Sequence, residues 1–151
     1  MARFRYSMQN ILDIKLKLET QAKQEFSAAR AALDEEERKL QLLFDRKREY
    51  EDEAARLRSG TLNFRDMADN RTAIRCMENF IDDQMVCVRE AERMLEKARE
   101  KLAEVMIERK TQENLRDKAF EEFLREENRR EGKEVDELTS YTYGQKHSAL
   151  A

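Results

Sequence analysis

The segment Leu57–Asp66, "LRSGTLNFRD", decides the fold of this chain. It contains the first of only 3 glycines, in a sequence that has no proline. Gly60 favours the left-handed backbone conformation in which helices commonly end, and Asn63 is a good N-cap for a helix that follows. Asp66 adds a favourable negative charge in the first turn of that second helix. The segment therefore predicts a turn over residues 59–63 between two helices.

Downstream of the turn, apolar residues recur in the seven-residue pattern of a coiled coil. One row consists of Ile74, Ile81, Val88, Leu95 and Leu102, and its companion of Met77, Gln84, Ala91, Ala98 and Val105. The pattern becomes polar at Arg109, Gln112 and Arg116 and recovers at Ala119 and Phe123. We expect a helix from about residue 64 to about residue 138.

The chain upstream of the turn carries similar rows. One row consists of Leu33, Leu40, Lys47 and Ala54, and the other of Glu36, Leu43, Tyr50 and Leu57. Nearer the N-terminus the rows read Phe4, Ile11 and Leu18, with Met8, Ala22 and Ala29 beside them. The register thus drifts between the two halves of a helix predicted over about residues 4–58.

A short link between two helices makes them antiparallel neighbours, so the sequence predicts an all-α fold, a long antiparallel two-helix coiled-coil hairpin. Its arms are unequal, at ~80 Å and ~110 Å, and pairing outward from the turn brings Phe4 opposite Ala119. The hairpin is expected over residues 1–140. Residues 141–151 lack apolar periodicity and are expected to be disordered. Gly60 alone permits one unbroken helix in a parallel dimer, at about 1 kcal/mol relative to Ala, but its Ser, Thr and Asn neighbours favour a turn.

Composition narrows the class of protein. The chain is 42% charged with a net charge of −3, and acidic and basic residues interleave, which argues against nucleic-acid binding. Cys76 and Cys87 would lie about 16 Å apart on one helix, too far for a disulfide, and free thiols suit a reducing compartment. The N-terminus is too polar for a signal peptide, and no apolar run approaches the ~20 residues of a membrane helix. We expect a cytosolic protein that contacts membranes only through partners.

The residue types needed for catalysis are scarce. The single histidine, His147, lies near the C-terminus, and the glycines at positions 60, 132 and 144 form no phosphate-binding loop. A two-helix hairpin also lacks the concave interior in which catalytic groups converge. The sequence therefore predicts a protein that is not an enzyme and that holds no cofactor and no metal.

Three stretches carry a resemblance to a known family. The C-terminal "ENRREGKEVDELTSYTYG" contains Asn128, Arg129, Lys133, Asp136, Glu137 and Leu138, in the order and spacing with which flagellar FliJ proteins end their second helix. The opening "FRYSMQNILDIKLKLETQA" and the middle "LQLLFDRKREYEDE" are similar to the corresponding parts of that family. Gly132 departs from the pattern, because a helix former is expected there, and it leaves the helical state of residues 133–138 open.

The resemblance implies a function. FliJ proteins are cytosolic components of the flagellar type III export apparatus, with a fold similar to the stalk of the rotary ATP synthase gamma subunit. By this resemblance the ends of the hairpin enter a hexameric export ATPase ring, the tip half contacts the membrane export gate, and the protein also handles export chaperones. The residues carried over to the ring are Arg129, Lys133, Asp136 and Glu137, and those carried over to the gate are Leu43, Tyr50, Met77 and Phe80.

Each of these residue assignments also has a simpler structural interpretation. The ring residues equally fit a solvated helix end, and Leu43, Tyr50 and Met77 belong to the predicted helix interface, which favours a role in the core. Phe80 lies off the interface rows and is the better candidate for an outside partner. Two alternative functions also stay open. One is the equivalent stalk of a virulence-type secretion system, and the other is a structural or scaffolding coiled-coil dimer.

Overall fold

The computed structural model describes residues 2–150, which form two helices, α1 (Gln9–Arg58) and α2 (Phe64–Leu150). The helices pack against each other in antiparallel orientation, and no strand occurs between residues 2 and 150, so the predicted all-α fold is confirmed. Neither helix contains, in its described part, a stretch apolar enough to span a bilayer. The contacts divide the chain into two compact units, one formed by Thr20–Glu104 and the other by Met1–Glu19 with Val105–Ala151.

The link between the helices is the segment in which the sequence predicts the turn. Gly60 has a φ of +99°, the left-handed region that favours glycine. The hydroxyl and the backbone N–H of Ser59 both donate to the carbonyl of Arg56, at 3.0 and 3.2 Å. The Asn63 side-chain oxygen accepts from the backbone N–H groups of Arg65 and Asp66, at 3.1 and 3.3 Å. Asn63 thus satisfies two of the donors that the start of α2 would otherwise leave unpaired.

In the unit formed by Thr20–Glu104, the predicted heptad rows face each other. Leu33, Met77, Ile81 and Leu95 are buried, and the remaining members of the rows are buried or half-buried. Two polar side chains of α2 bind across the pair. Asn70, seven residues before Met77, donates to the carbonyl of Tyr50 at 3.0 Å, and Gln84 donates to the carbonyl of Glu36 at 3.0 Å. These hydrogen bonds satisfy polar groups that would be costly to bury alone, and they fix which residues of α1 and α2 face each other.

In the unit formed by Met1–Glu19 and Val105–Ala151, the predicted interface residues of α1 are wrong. Ile11 and Leu18 are exposed, at 38% and 39%, whereas Leu12 and Glu19 are buried, at 2% and 5%. The seven-residue rows of α1 therefore continue without drift, through Leu12, Lys15, Glu19, Ala22, Phe26 and Ala29. The prediction failed because it followed apolar residues, while two interface positions hold charged residues with partners on α2.

The N-terminal end of α1 also differs from the prediction, because the helix begins at Gln9 and not at Phe4. Residues 3–7 lie against α2 without being helical. The ring of Phe4 lies 5.1 Å from that of Phe120 and 5.3 Å from that of Phe123, measured between centroids. Phe4 thus reaches the region of Ala119, as the predicted pairing requires. The aromatic contacts supply the burial that helical packing gives elsewhere.

The C-terminal end of α2 lies at Leu150, beyond the predicted end at about residue 138, and Gly132 lies inside the helix. Residues 141–150, expected to be disordered, are therefore helical in the structure. Local contacts of i,i+4 spacing accompany this extension: the Thr142 hydroxyl donates to the carbonyl of Leu138 at 2.8 Å, and the Gln145 amide donates to the Tyr141 hydroxyl at 2.8 Å. Apolar periodicity reports packing against a neighbour, and a helix that lacks it can still form its backbone hydrogen bonds.

Alanine substitutions at two glycines are expected to act in opposite directions. Nothing lies within 4 Å of an added Cβ at Gly60 or at Gly132, so only the backbone decides. Gly60→Ala forces an L residue into a left-handed conformation and should lower the free energy of unfolding by about 1–2 kcal/mol. Gly132→Ala should favour the local helix by about 1 kcal/mol. Circular dichroism at 222 nm, with thermal unfolding, measures both. Equal effects at the two sites would contradict the assigned turn.

Candidate functional site

The C-terminal part of α2, over residues 128–148, is not covered by any other described part of the chain. Contacts of the N-terminal segment reach Glu126 on α2, and residues 128–148 are all exposed. Val135 and Leu138 are apolar and 60% and 65% exposed. Together with Thr142 they recur at three- and four-residue spacing, so they lie on one face of the helix, and they line a shallow groove of about 390 Å³. We call Val135, Leu138 and Thr142 the C-terminal stripe.

The four residues assigned to an ATPase ring lie on the same exposed segment. Arg129 forms an ion pair with Glu126 at 2.8 Å, and Lys133, Asp136 and Glu137 are exposed. Their spacing brings Arg129, Lys133 and Asp136 to one side of the helix. Leu138 belongs to the sequence motif, but Val135 is not among the predicted residues. The sequence feature that would have identified Val135 is the three-residue spacing between the apolar residues at positions 135 and 138.

A charged layer crosses the interface between α1 and α2 in the same unit. The Arg109 guanidinium donates to both carboxylate oxygens of Glu19, at 2.6 and 3.3 Å, and to Glu113 at 2.8 Å. These hydrogen bonds, those to Glu19 first, raise the pKa of Arg109. Beside them Lys15 binds Glu108 at 2.8 Å. We call Lys15, Glu19, Glu108, Arg109 and Glu113 the charged layer.

Two buried polar atoms in this unit have no hydrogen-bonding partner among residues 2–148. They are the side-chain carbonyl oxygen of Gln112 and the hydroxyl oxygen of Tyr6. Gln112 belongs to the polar part of the predicted α2 row, and Tyr6 belongs to the N-terminal segment that packs near Phe123. An unpaired buried oxygen weakens packing where it occurs, because its interaction with water is lost without replacement. The buried polar atoms of the helix interface are therefore less completely hydrogen-bonded here than around Asn70 and Gln84.

The four residues assigned to an export gate do not form one exposed surface. Met77 is part of the core, with 8% of its surface exposed, and Leu43 and Tyr50 are half-buried. Phe80 is 53% exposed. Leu43 lines a groove of about 580 Å³ with Leu42, which is itself half exposed and is absent from the predicted set. Among the four, Phe80 alone presents most of a large apolar side chain to solvent.

The described residues contain no metal-binding cluster, and their two cysteines form no disulfide. No group of three or more His, Cys, Asp or Glu side chains among these residues is arranged to hold a metal ion. Cys76 and Cys87 are both free and exposed.

Comparison with known proteins identifies the family. The family model described as "Flagellar FliJ protein" matches residues 4–148. A solved structure described as a YscO homologue from Chlamydia trachomatis has the same fold, with a TM-score of 0.70 and 22% identity, over 99% of this chain and 100% of that one. No curated protein matches the sequence. Because the family model spans nearly the whole chain, the protein belongs to the flagellar FliJ family, whose members are components of the type III protein export apparatus.

Proposed function

We propose that the protein is the stalk of the flagellar type III export apparatus, which inserts into the hexameric export ATPase ring and links it to the membrane export gate. The observation that carries the ring contact is the uncovered C-terminal part of α2, where an apolar stripe and four charged residues face solvent together. The protein acts by contact and not by catalysis. It resides in the cytoplasm, at the inner face of the membrane, and meets the membrane through its partners.

The ring contact follows from the burial of α2. A helix gains most of its stability in proteins from packing, and residues 128–148 have no packing partner within the described chain. Exposed apolar side chains in one row commonly mark a surface that a partner covers. Lys133, Asp136 and Glu137 surround the C-terminal stripe with both signs of charge, which orients a partner more than it adds affinity. These properties suit insertion of the helix end into a protein ring.

The ring contact is tested by mixing the protein with its cognate export ATPase and measuring hexamer formation and ATP hydrolysis. The wild-type protein should increase both. Asp136→Ala/Glu137→Ala should weaken the effect, so that about tenfold more protein is needed to reach it. A tenfold change corresponds to the loss of charged contacts that contribute about 1.4 kcal/mol in total. No effect of the wild-type protein would contradict the ring contact. An unaffected double variant would contradict only these two residues.

The gate contact is proposed to use Phe80, because the other three assigned residues are buried or half-buried. Phe80→Ala should weaken binding to the cytoplasmic part of the export gate by about tenfold or more, since burial of an aromatic side chain contributes about 1.5–3 kcal/mol. The thermal stability should change little. Phe64→Ala is the matched control, because Phe64 is also highly exposed, at 76%. Equal weakening by both variants, or no weakening by Phe80→Ala, would contradict the assignment.

Export chaperones are proposed as further partners. The flagellar system is preferred to a virulence-type system because the matching family model is the flagellar one. The scaffolding alternative requires a stable parallel dimer. The antiparallel packing of α1 on α2 within one chain favours the stalk, because it already covers the apolar rows that such a dimer would use.

A further inference from the structure

A groove of the unit formed by Thr20–Glu104 lies between the helices, and none of the residues assigned to the ring or the gate lines it. It measures about 950 Å³ and is lined in its middle by Ala29 and Ala32 of α1 and by Ala91 and Ala98 of α2. Val86 and Met94 stand along the α2 side and are 58% and 49% exposed. We call this surface the alanine groove. It combines small residues with exposed apolar ones, a combination that leaves room for large side chains from outside.

The dimensions of the alanine groove match a helix. Its lining on α1 runs from Glu25 to Glu36, which corresponds to about 16 Å or three helical turns. Alanine methyl groups let another helix approach closely, and large apolar side chains of that helix would then fill the depressions between α1 and α2. The flexible side chain of Met94 can adapt to such an occupant. Recognition of an amphipathic helix by an apolar groove uses this arrangement, with anchors at three- and four-residue spacing.

Charge differs between the two ends of the alanine groove. Glu36 and Glu90 line one end, while Lys97 and Lys101 line the other with Glu25. Ion pairs hold charged groups at both ends: Lys39 and Arg93, which do not line the groove, bind Glu36 and Glu90, and Lys101 binds Glu25 at 2.9 Å. The groups that line the groove are therefore two carboxylates at one end, and two ammonium groups with one carboxylate at the other. A docked helix carries partial positive charge at its N-terminus and partial negative charge at its C-terminus. The acidic end therefore suits the N-terminus of the occupant, and the basic end suits its C-terminus.

We infer that the alanine groove binds an amphipathic helix of a partner protein, oriented parallel to α2. The occupant has large apolar residues facing the groove, basic residues in its first turn near Glu36 and Glu90, and acidic residues in its last turn near Lys97 and Lys101. This interaction goes beyond the proposed function, because it involves none of the residues assigned to the ATPase ring or to the export gate. Its test likewise requires neither partner.

The chain contains a built-in probe for this interaction. Cys87 lines the alanine groove, whereas Cys76 does not, and both thiols are exposed. The rate of alkylation by iodoacetamide, followed for each cysteine by peptide mass spectrometry, therefore reports occupancy at Cys87 with Cys76 as the internal reference.

Two synthetic helical peptides of about four turns test the inferred direction. Both carry leucine at three- and four-residue spacing. The forward peptide has lysines in its first turn and glutamates in its last, and the reversed peptide has these charges exchanged. The forward peptide should slow alkylation of Cys87 without affecting Cys76, and the reversed peptide should bind about tenfold more weakly. The charges of the reversed peptide match the helix dipole better, so the reversed peptide is the more helical of the two when free. A preference of the groove for the forward peptide therefore cannot result from a difference in helicity.

Matched variants locate the binding. Ala32→Trp fills the groove from an exposed position and should abolish protection of Cys87, whereas Ala31→Trp, on the other side of α1, should not. Met94→Ala should weaken binding severalfold, and Met85→Ala, an exposed methionine outside the groove, should not. The inference fails if neither peptide protects Cys87, if both protect it equally, or if the control variants act alike. Protection that grows with protein concentration alone would also overturn it, because the occupant would then be a second copy of this chain.

Discussion

Val135→Asp/Leu138→Asp is expected to abolish binding to the export ATPase ring while the helical content stays unchanged. The two side chains are the most apolar part of the C-terminal stripe and are 60% and 65% exposed, so their replacement removes little packing within the chain. If the ring buries them, each contributes about 1.5–3 kcal/mol to binding, and losing both weakens it by roughly a hundredfold or more. Placing two carboxylates in the contact weakens it further, because unpaired charges would be buried.

Titration of the ATPase with the variant, by hydrolysis rate and by sedimentation of the hexamer, measures this loss. Leu62→Asp/Phe64→Asp is the matched control, because it introduces the same charges at two exposed apolar positions beside the turn. The control should bind like the wild type. Unchanged ring binding by Val135→Asp/Leu138→Asp would remove the C-terminal stripe from the contact, even if the protein still stimulates the ATPase.

Arg109→Leu is expected to lower the melting temperature by several degrees, and Glu19→Leu/Arg109→Leu is expected to restore it or raise it. Glu19 is 5% exposed and accepts two hydrogen bonds from Arg109. Removing Arg109 leaves this carboxylate buried without them, which is strongly unfavourable. Replacing both residues fills the same interface positions with apolar side chains, a change that is commonly neutral or stabilising.

The exposed pair of Glu90 and Arg93 provides the control for this prediction. It has a similar short contact, at 2.6 Å, but its side chains are more than half exposed, so Arg93→Leu should change the melting temperature little. Thermal unfolding followed at 222 nm measures the wild type, Glu19→Leu, Arg109→Leu and the double variant as one double-mutant cycle, with Arg93→Leu beside it. A wild-type melting temperature for Arg109→Leu would show that the contacts of Arg109 with Glu19 and Glu113 contribute no net stability.

Glu19→Leu/Arg109→Leu should also reduce the specificity with which the helices choose their register and the number of associating chains. A polar pair at an interface position commonly fixes register and partner number at the expense of stability. With leucine at both positions, the interface around Leu12 gains apolar residues that accept several registers. Size-exclusion chromatography with light scattering should then detect higher oligomers of Glu19→Leu/Arg109→Leu that are absent from the wild type.

The parts of the fold that the sequence predicts well are those with one dominant local signal. Gly60 and Asn63 predict the turn because one tolerates a left-handed backbone and the other caps a helix, and neither property depends on distant residues. The row from Ile74 to Leu102 predicts the face of α2 because only burial explains apolar residues at every seventh position. The partner face on α1 is equally clear from Leu33 onward.

The interface near the N-terminus is where a local signal misleads. Ile11 and Leu18 are apolar and exposed, while Lys15 and Glu19 occupy interface positions. Whether a charged residue lies inside depends on its partner, and Arg109 is 90 residues away along the chain. The same limit applies to Met77 and Phe80. They are three residues apart, but one is in the core and the other faces solvent, so only one can bind a partner directly.

The sequence by itself determined two helices, the turn between them and the family, because backbone conformation and heptad spacing are properties of neighbouring residues. The tertiary structure decided which charged residues lie inside the helix pair, where the N-terminal segment packs, and which apolar side chains stay uncovered on α2. It also created the alanine groove, which exists only because residues of both helices meet. Burial is a property of residues brought together from distant positions, and for that reason spacing along one helix does not determine it.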